Sequence, residues 1–153
     1  MKNIKQLLED SQFFKSLPEE YIELVAGCGS NIQKKSGDFL FKEGESANEF
    51  YLIRHGKVAL ELVAPGVRPL CIETLDTGEL IGWSWIFPPY TWSYDGRCIE
   101  DCRLIKIDGR CLREKFEKNN ALGYTFMKSF AQVMTSRLAC VRLQLLNLYG
   151  EKN

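Results

Sequence analysis

Gly37-Asp38-Phe39-Leu40-Phe41-Lys42-Glu43-Gly44-Glu45, then Ala47-Asn48-Glu49-Phe50-Tyr51-Leu52-Ile53, then Gly56-Lys57-Val58, is the stretch that decides the fold. Turn residues recur at short intervals through it and beyond: Ser36-Gly37-Asp38, Gly44, His55-Gly56, Pro65-Gly66, Asp76-Thr77-Gly78 and Gly82. Between them lie short runs rich in Val, Ile, Leu, Phe and Tyr, at Asp38–Phe41, Glu49–Arg54, Lys57–Val63 and Leu70–Leu75. Short apolar runs punctuated in this way predict an all-β sandwich or roll. Phe39-Leu40-Phe41 and Tyr51-Leu52-Ile53 read as buried on both faces or in a sandwich core, whereas the alternation of Lys57–Leu62 predicts one face in solvent. Two further strands are expected at Arg97–Glu100 and Arg103–Ile107.

Helices flank the β region. Residues 3–9 and 12–17 read as short helices, and a third begins at Pro18-Glu19-Glu20 and stops near Gly27 and Gly29. Proline suits a first helical turn, and acids there face the positive end of the helix dipole. After the last strand, Asp108 is a cap for a helix carrying Leu112 and Phe116, which Asn119-Asn120 breaks. A long helix from about 121 to 149 follows, with Leu122, Phe126, Phe130, Val133 or Met134, Leu138, Val141, Leu145 and Leu148 at helical spacing. Such a helix cannot bury its whole stripe on one small roll. Its far half is expected on a partner helix in a parallel or crossed homodimer, the alternative being a monomer whose helix folds back on the N-terminal helices. The resulting plan is one domain, 1–153: helices over 1–29, a β-roll over 30–108 with a cassette at 78–97, and C-terminal helices over 109–149.

Bulk composition narrows the function. The chain has 153 residues with 20 Lys plus Arg against 20 Asp plus Glu. Zero net charge argues against nucleic acid as a partner and against a polybasic membrane anchor. The charged N-terminus lacks a signal-peptide core, and no apolar run is long enough to span a bilayer, so a cytoplasmic location is expected. Cys28, Cys71, Cys98, Cys102, Cys111 and Cys140 are then expected as reduced thiols, mostly small buried hydrophobes and not metal ligands. His55, the sole histidine, reads as an exposed turn residue and cannot anchor a metal site alone, which weakens a cupin-like enzyme. With no Ser–His–acid order and no P-loop, no catalytic residue and no enzyme activity are expected.

Several strings taken together resemble the cyclic nucleotide-binding domain of bacterial transcription regulators and kinase regulatory subunits. Phe14-Lys15-Ser16-Leu17-Pro18 is similar to the family's helical lead-in, and residues 37–58 to its first β turns. Leu75-Asp76-Thr77-Gly78-Glu79-Leu80-Ile81-Gly82 resembles the run leading into the phosphate-binding cassette, and residues 97–108 the strand pair after it. The resemblance implies a mainly β fold with flanking helices: a double-stranded β-helix, or jelly roll, that closes on a long C-terminal helix. It also implies a cyclic nucleotide, or another small ligand, held in the roll. In nucleotide-binding members a glutamate follows the position of Gly82, and an arginine and a serine or threonine lie further on. Counted back from Arg97–Cys102, these positions are Trp83, Trp92 and Ser93.

The departure matters energetically. Arginine–phosphate bonds are charge-assisted and about twice as strong as neutral ones. A buried monoanion without a cation costs several kcal/mol of desolvation. Gly82-Trp83-Ser84-Trp85-Ile86-Phe87-Pro88-Pro89-Tyr90 also resembles a bacterial subgroup with a tryptophan-rich cassette, here without a helix-turn-helix domain. The implied ligand site is Gly82, Trp83, Ser84, Trp85, Trp92, Ser93, Tyr94 and Arg97. Two readings stay open: the aromatic residues line a pocket for a flat or apolar ligand, or the indoles fill the nucleotide's space. Arg97 either meets a ligand anion or pairs with an acid such as Glu100 or Asp95. Asp76 and Glu79 read as turn residues in preference to ribose contacts. The functions implied are a stand-alone regulatory or sensor module or, alternatively, a ligand-free interaction or scaffolding module with a protein partner.

Overall fold

The computed structural model describes residues 2–150; Met1 and the terminal Glu151-Lys152-Asn153 lie outside the described residues. The chain divides into two compact units that meet between Lys115 and Phe116.

The first unit opens with α1 (Ile4–Glu9), a 3₁₀ turn at Phe14–Ser16 and α2 (Glu19–Ala26). Asn3 caps α1 by accepting the Gln6 N–H, and the Gln6 side chain returns a bond to the Asn3 N–H. Of the helix expected over 12–17, only the 3₁₀ turn forms. Ser11 Oγ accepts the Phe14 N–H at 3.2 Å, a local bond that competes with an α-helical turn.

Eight strands follow: β1 (Gly29–Lys34), β2 (Phe39–Phe41), β3 (Glu49–His55), β4 (Val58–Leu62), β5 (Leu70–Leu75), β6 (Leu80–Ile81), β7 (Asp95–Cys98) and β8 (Cys102–Asp108). They form two four-stranded antiparallel sheets, ordered β1-β8-β3-β6 and β2-β7-β4-β5. This is the mainly β, jelly-roll-like fold with flanking helices that the family resemblance implies, and the β-roll is in keeping with the turn spacing. Facing side chains of both sheets make one core, with Tyr51, Ile53, Ile81 and Leu104 from one sheet and Phe41, Val58, Leu60, Leu75 and Cys98 from the other. β3 is buried on both faces, since Phe50 and Leu52 on its opposite side are also inaccessible.

Two burial expectations need correction. Phe39 is 38% exposed, because a strand of three residues at the edge of its sheet has cover on one side only. β4 does not alternate with solvent. Ala59 and Glu61 are buried along with Val58 and Leu60, because Arg97 lies opposite Ala59 in the ladder and reaches across to Glu61.

After the last strand, the Asp108 carboxylate accepts the N–H groups of Arg110 and Cys111 and starts α3 (Gly109–Lys118). Asn119 Oδ1 accepts the Leu122 N–H at 3.1 Å and starts α4 (Asn120–Gly150). Within the second unit Phe126 stands between Phe116 and Phe130, at ring distances of 5.3 and 5.8 Å. No described helix is long and apolar enough to cross a membrane.

The expectation of six reduced thiols is overturned at two positions: Cys28 and Cys111 form a disulfide, with Cα atoms 5.9 Å apart. The cause is register. Gly29 pairs with Ile107, and the Asp108 N–H donates to the Cys28 carbonyl at 2.9 Å, so the end of α2 meets the start of α3. The bond spans a sequence separation of 83 residues, and closing a loop of that order is worth about 2–4 kcal/mol. Reduction, or Cys111→Ser, should lower unfolding stability by about that amount in guanidinium titrations. Superimposable curves with and without reductant would exclude this contribution.

Candidate functional site

The cassette is the long connection from β6 to β7. Its far limb is tied to the turn after β2. Gly44 N–H donates to the Trp92 carbonyl and Trp92 N–H to the Glu45 carbonyl, both at 2.9 Å, and Ala47 N–H donates to the Tyr90 carbonyl at 2.7 Å. This short ladder aims Trp92 inward. Its ring lies on Phe41 with centroids 3.7 Å apart and planes 11° from parallel. Phe41 is also 5.9 Å from the ring of Tyr94 and 6.4 Å from that of Tyr51. Trp83, half-buried, meets Tyr94 edge-on at 6.0 Å. Trp83, Trp92 and Tyr94 therefore join Phe41 and Tyr51 in one aromatic group between the sheets.

Gly82 is the hinge of this arrangement. Its φ is 100°, and a Cβ there would lie 2.5 Å from the Trp92 ring. Only glycine combines that backbone conformation with that approach. Gly82→Ala should destabilise the fold by about 2 kcal/mol or more, read by thermal or denaturant unfolding, and wild-type stability would contradict the geometry.

The third indole goes elsewhere. Trp85 is fully buried against Phe50, with centroids 4.7 Å apart, on the face of β3 opposite Tyr51. Its Nε1–H donates to the Gly82 carbonyl at 3.2 Å. Gly109 makes room for it, since a Cβ there would sit 3.0 Å from the Trp85 Cβ. Ser84 is half-buried and Ser93 exposed. Among the eight residues singled out from sequence, the structure thus gathers Gly82, Trp83, Trp92 and Tyr94; the Trp85 ring packs on Phe50 and is joined to that group through the Gly82 carbonyl, and Arg97 lies on the outer face of its sheet. Arg113 had no sequence signal: it donates to the Trp85 carbonyl and lies 4.1 Å over the Tyr90 ring, bracing the cassette.

Arg97 sits on the outer face of its sheet, between the inward positions Gly96 and Cys98. Its Nε and Nη2 donate to the two carboxylate oxygens of Glu61, at 2.9 and 3.1 Å. The expected partners Glu100 and Asp95 are corrected to Glu61. Register places Asp95 opposite Glu61 and Arg97 opposite Ala59, so Glu61 and Arg97 are diagonal neighbours on one face. Asp95 instead accepts the Glu43 N–H at 2.8 Å. The Arg97 hydrogen bond holds the Glu61 carboxyl below the usual carboxylate range and raises Arg97 in turn. Asp76 and Glu79 are turn residues: Glu79 accepts the Asp76 N–H at 3.2 Å and Asp76 the Thr77 N–H at 2.7 Å. Burial pushes the Cys98 thiol up to about 12 and raises Cys102, so both stay protonated near neutral pH. Among the described residues, no three His, Cys, Asp or Glu side chains gather as a metal site.

Among the described residues no cation belongs to the core cluster that contains the aromatic group, and Arg97, the cation nearest the cassette in sequence, is engaged on the far side of the sheet. Glu61→Gln should cost about 1 kcal/mol at neutral pH, discounted because Arg97 is about a third exposed. Glu61 has a depressed value in the fold, so its contribution is full above the ordinary 4.5 and is lost as pH falls through the lower folded value. The gap between parent and variant should close in acid. A gap that does not narrow as the solution is made more acid would disprove the pairing.

Comparison with known proteins bears on the fold and the family. A structure from Geobacter metallireducens, assigned as a cyclic nucleotide-binding protein, is 28% identical, superposes with a TM-score of 0.78, and covers 90% of this chain and 99% of its own. The anaerobic regulatory protein of Bacillus subtilis is 24% identical over 115 residues, which are 73% of this chain and 48% of that protein. Human cGMP-dependent protein kinase 2 is 29% identical over 79 residues, 51% of this chain and 10% of the kinase. The chain therefore spans about half of the bacterial regulator and a tenth of the kinase. Residues 32–119, more than half of the chain, match the cyclic nucleotide-binding domain, and the chain belongs to that family.

Proposed function

We propose that this chain is a non-enzymatic regulatory module in which the family's nucleotide space is occupied by its own aromatic residues, and which acts through pairing of α4. The observation that carries the reading is the Trp92–Phe41 stack, closed over Gly82 in the space between the sheets. A cyclic nucleotide in the family's usual pose would have to displace that stack and would find Arg97 already committed to Glu61. Both losses oppose binding, and the second leaves a phosphate without its charge partner.

A second reading keeps a ligand. Trp83 and Ser84 are only half-buried and Ser93 is exposed, so a flat apolar molecule entering beside Trp83 would meet an indole face and two hydroxyls. Such a ligand would act by moving the cassette, with α4 changing the surface it offers to a partner.

Pairing through α4 is supported by its apolar surface. Leu138 and Leu145 are each 49% exposed, and Leu148 is 53% exposed. A contiguous apolar stripe of this kind marks an interaction site. Sedimentation at micromolar concentration should show a dimer.

Thermal shift with cyclic AMP, cyclic GMP and cyclic dinucleotides separates the readings. Binding at 100 times Kd adds about 2.7 kcal/mol, an obvious shift, and none is expected. A tight cyclic AMP complex in the usual orientation would refute the proposal. Trp83→Glu with Trp92→Arg restores the family's acid and guanidinium, so cyclic AMP should stabilise that variant and not its parent. No binding by a folded variant, read by calorimetry, would count against the placement of the site.

A further inference from the structure

The start of α3 is held from two sides. On one side Cys111 is bonded to Cys28, just beyond the end of α2. On the other side it meets the cassette. A Cβ on Gly109 would lie 3.0 Å from the Trp85 Cβ, and Arg113 donates to the Trp85 carbonyl and lies 4.1 Å over the Tyr90 ring. Residues 109–113 thus carry both the disulfide and the cassette on one short stretch of helix.

The two half-cystines differ in access and in surroundings. Cys28 is buried and Cys111 part exposed, so an incoming thiolate attacks Cys111 and Cys28 is the leaving group. Lys115 stands one helical turn beyond Cys111. Its Nζ donates to the Leu24 carbonyl at 2.6 Å, and the Cys28 Sγ lies 3.9 Å from that same oxygen. An ammonium therefore sits beside the sulfur that takes up negative charge when the bond opens. Of the neighbouring acids, Glu23 of α2 is held by Lys5 at 2.9 Å, and the Asp108 carboxylate caps α3 on the Cys111 side. A cation next to a thiolate lowers its basicity, and a less basic thiolate leaves faster.

We propose that Cys28–Cys111 is a thiol–disulfide switch: a small thiol opens it at Cys111, Lys115 stabilises the departing Cys28 thiolate, and the state of the pair sets how firmly α3 holds the cassette. In the first step the reductant's sulfur bonds to Cys111 Sγ, the Cys28–Cys111 bond breaks, and Cys28 leaves as a thiolate that takes up a proton. In the second step another thiol of the reductant attacks the sulfur bonded to Cys111 and frees the Cys111 thiol. The protein gains two electrons and two protons, and two reductant thiols become one disulfide. Closure is the reverse, with a small disulfide as oxidant. This input goes beyond the proposed regulatory role and does not depend on whether the roll also takes a ligand.

The test uses the full chain with Cys71→Ser and Cys140→Ser, which remove the two exposed free thiols. The reagent is 2-mercaptoethanol, whose lack of charge prevents Lys115 from acting by attracting it. Alkylation after an acid quench, read by mass spectrometry, follows the bond while circular dichroism follows the fold. The bond should open without unfolding and close again with the disulfide of 2-mercaptoethanol. Lys115→Met should slow opening by about threefold or more, and Lys115→Arg should stay within about twofold of the parent. A purely structural Lys115 predicts the opposite sign, because loosening the helix contact exposes the bond and speeds its reduction. Unchanged or faster opening in Lys115→Met would overturn the role of the ammonium, and a bond that opens only as the protein unfolds would overturn the switch. Amide hydrogen exchange reads the coupling. Exchange over residues 82–94 should quicken by about threefold or more on reduction, and Cys111→Ser should show the reduced rate with or without reductant. Equal exchange in the oxidised and reduced parent would overturn the link to the cassette.

Discussion

The contact on which the rest of this molecule depends is the face-to-face packing of Trp92 on Phe41, 3.7 Å apart between the two sheets. It links the cassette to β2 across the roll and needs three things at once. The turn at Gly44–Ala47 must hold the Trp92 backbone. Gly82 must lack a side chain. Gly96 must lack one too, because a Cβ there would lie 2.6 Å from the Phe41 ring. Two glycines and one short ladder thus serve a single pair of rings. A core of stacked aromatic rings fills space with dispersion contacts.

The charge of β4 and β7 lies on the outer face. Interior positions of β4 and β7 are aliphatic, glycine or thiol, and the ionic pair of these strands lies on the opposite face as Glu61 and Arg97. The pair covers Ala59 and turns an otherwise solvent-washed strand face into a buried one. Arginine suits this role because its fork engages both carboxylate oxygens at once.

Much of this was legible in the sequence. The turn glycines Gly37, Gly44, Gly56, Gly66, Gly78 and Gly82 all adopt positive φ, so the punctuation that predicts a β-roll has a direct backbone cause. β5 matches its expected bounds, and β3 and β4 lie within a residue of theirs. β1 was not legible: Gly29-Ser30-Asn31-Ile32-Gln33-Lys34 has one large apolar residue and becomes a strand through its ladder with β8. β6 has two residues, too few for any period to register. The tryptophans were visible as a cluster, but their division was not. Strand alternation does not govern the loop between β6 and β7, so nothing local sends Trp92 to one face of the sheet and Trp85 to the other. Glu61 escaped as the partner of Arg97 because the two lie 36 residues apart and meet only through strand register.

The Cys28–Cys111 bond has a topological consequence. All eight strands, from Gly29 to Asp108, lie between its two half-cystines. The β-roll is therefore a covalent ring from which the N-terminal helices and α4 emerge as two tails. A protease that cuts any turn of the roll opens the ring without releasing a fragment, whereas a cut in either tail sheds one. Under oxidising conditions the parts of this protein separable by a single cleavage are its helical ends and never its strands.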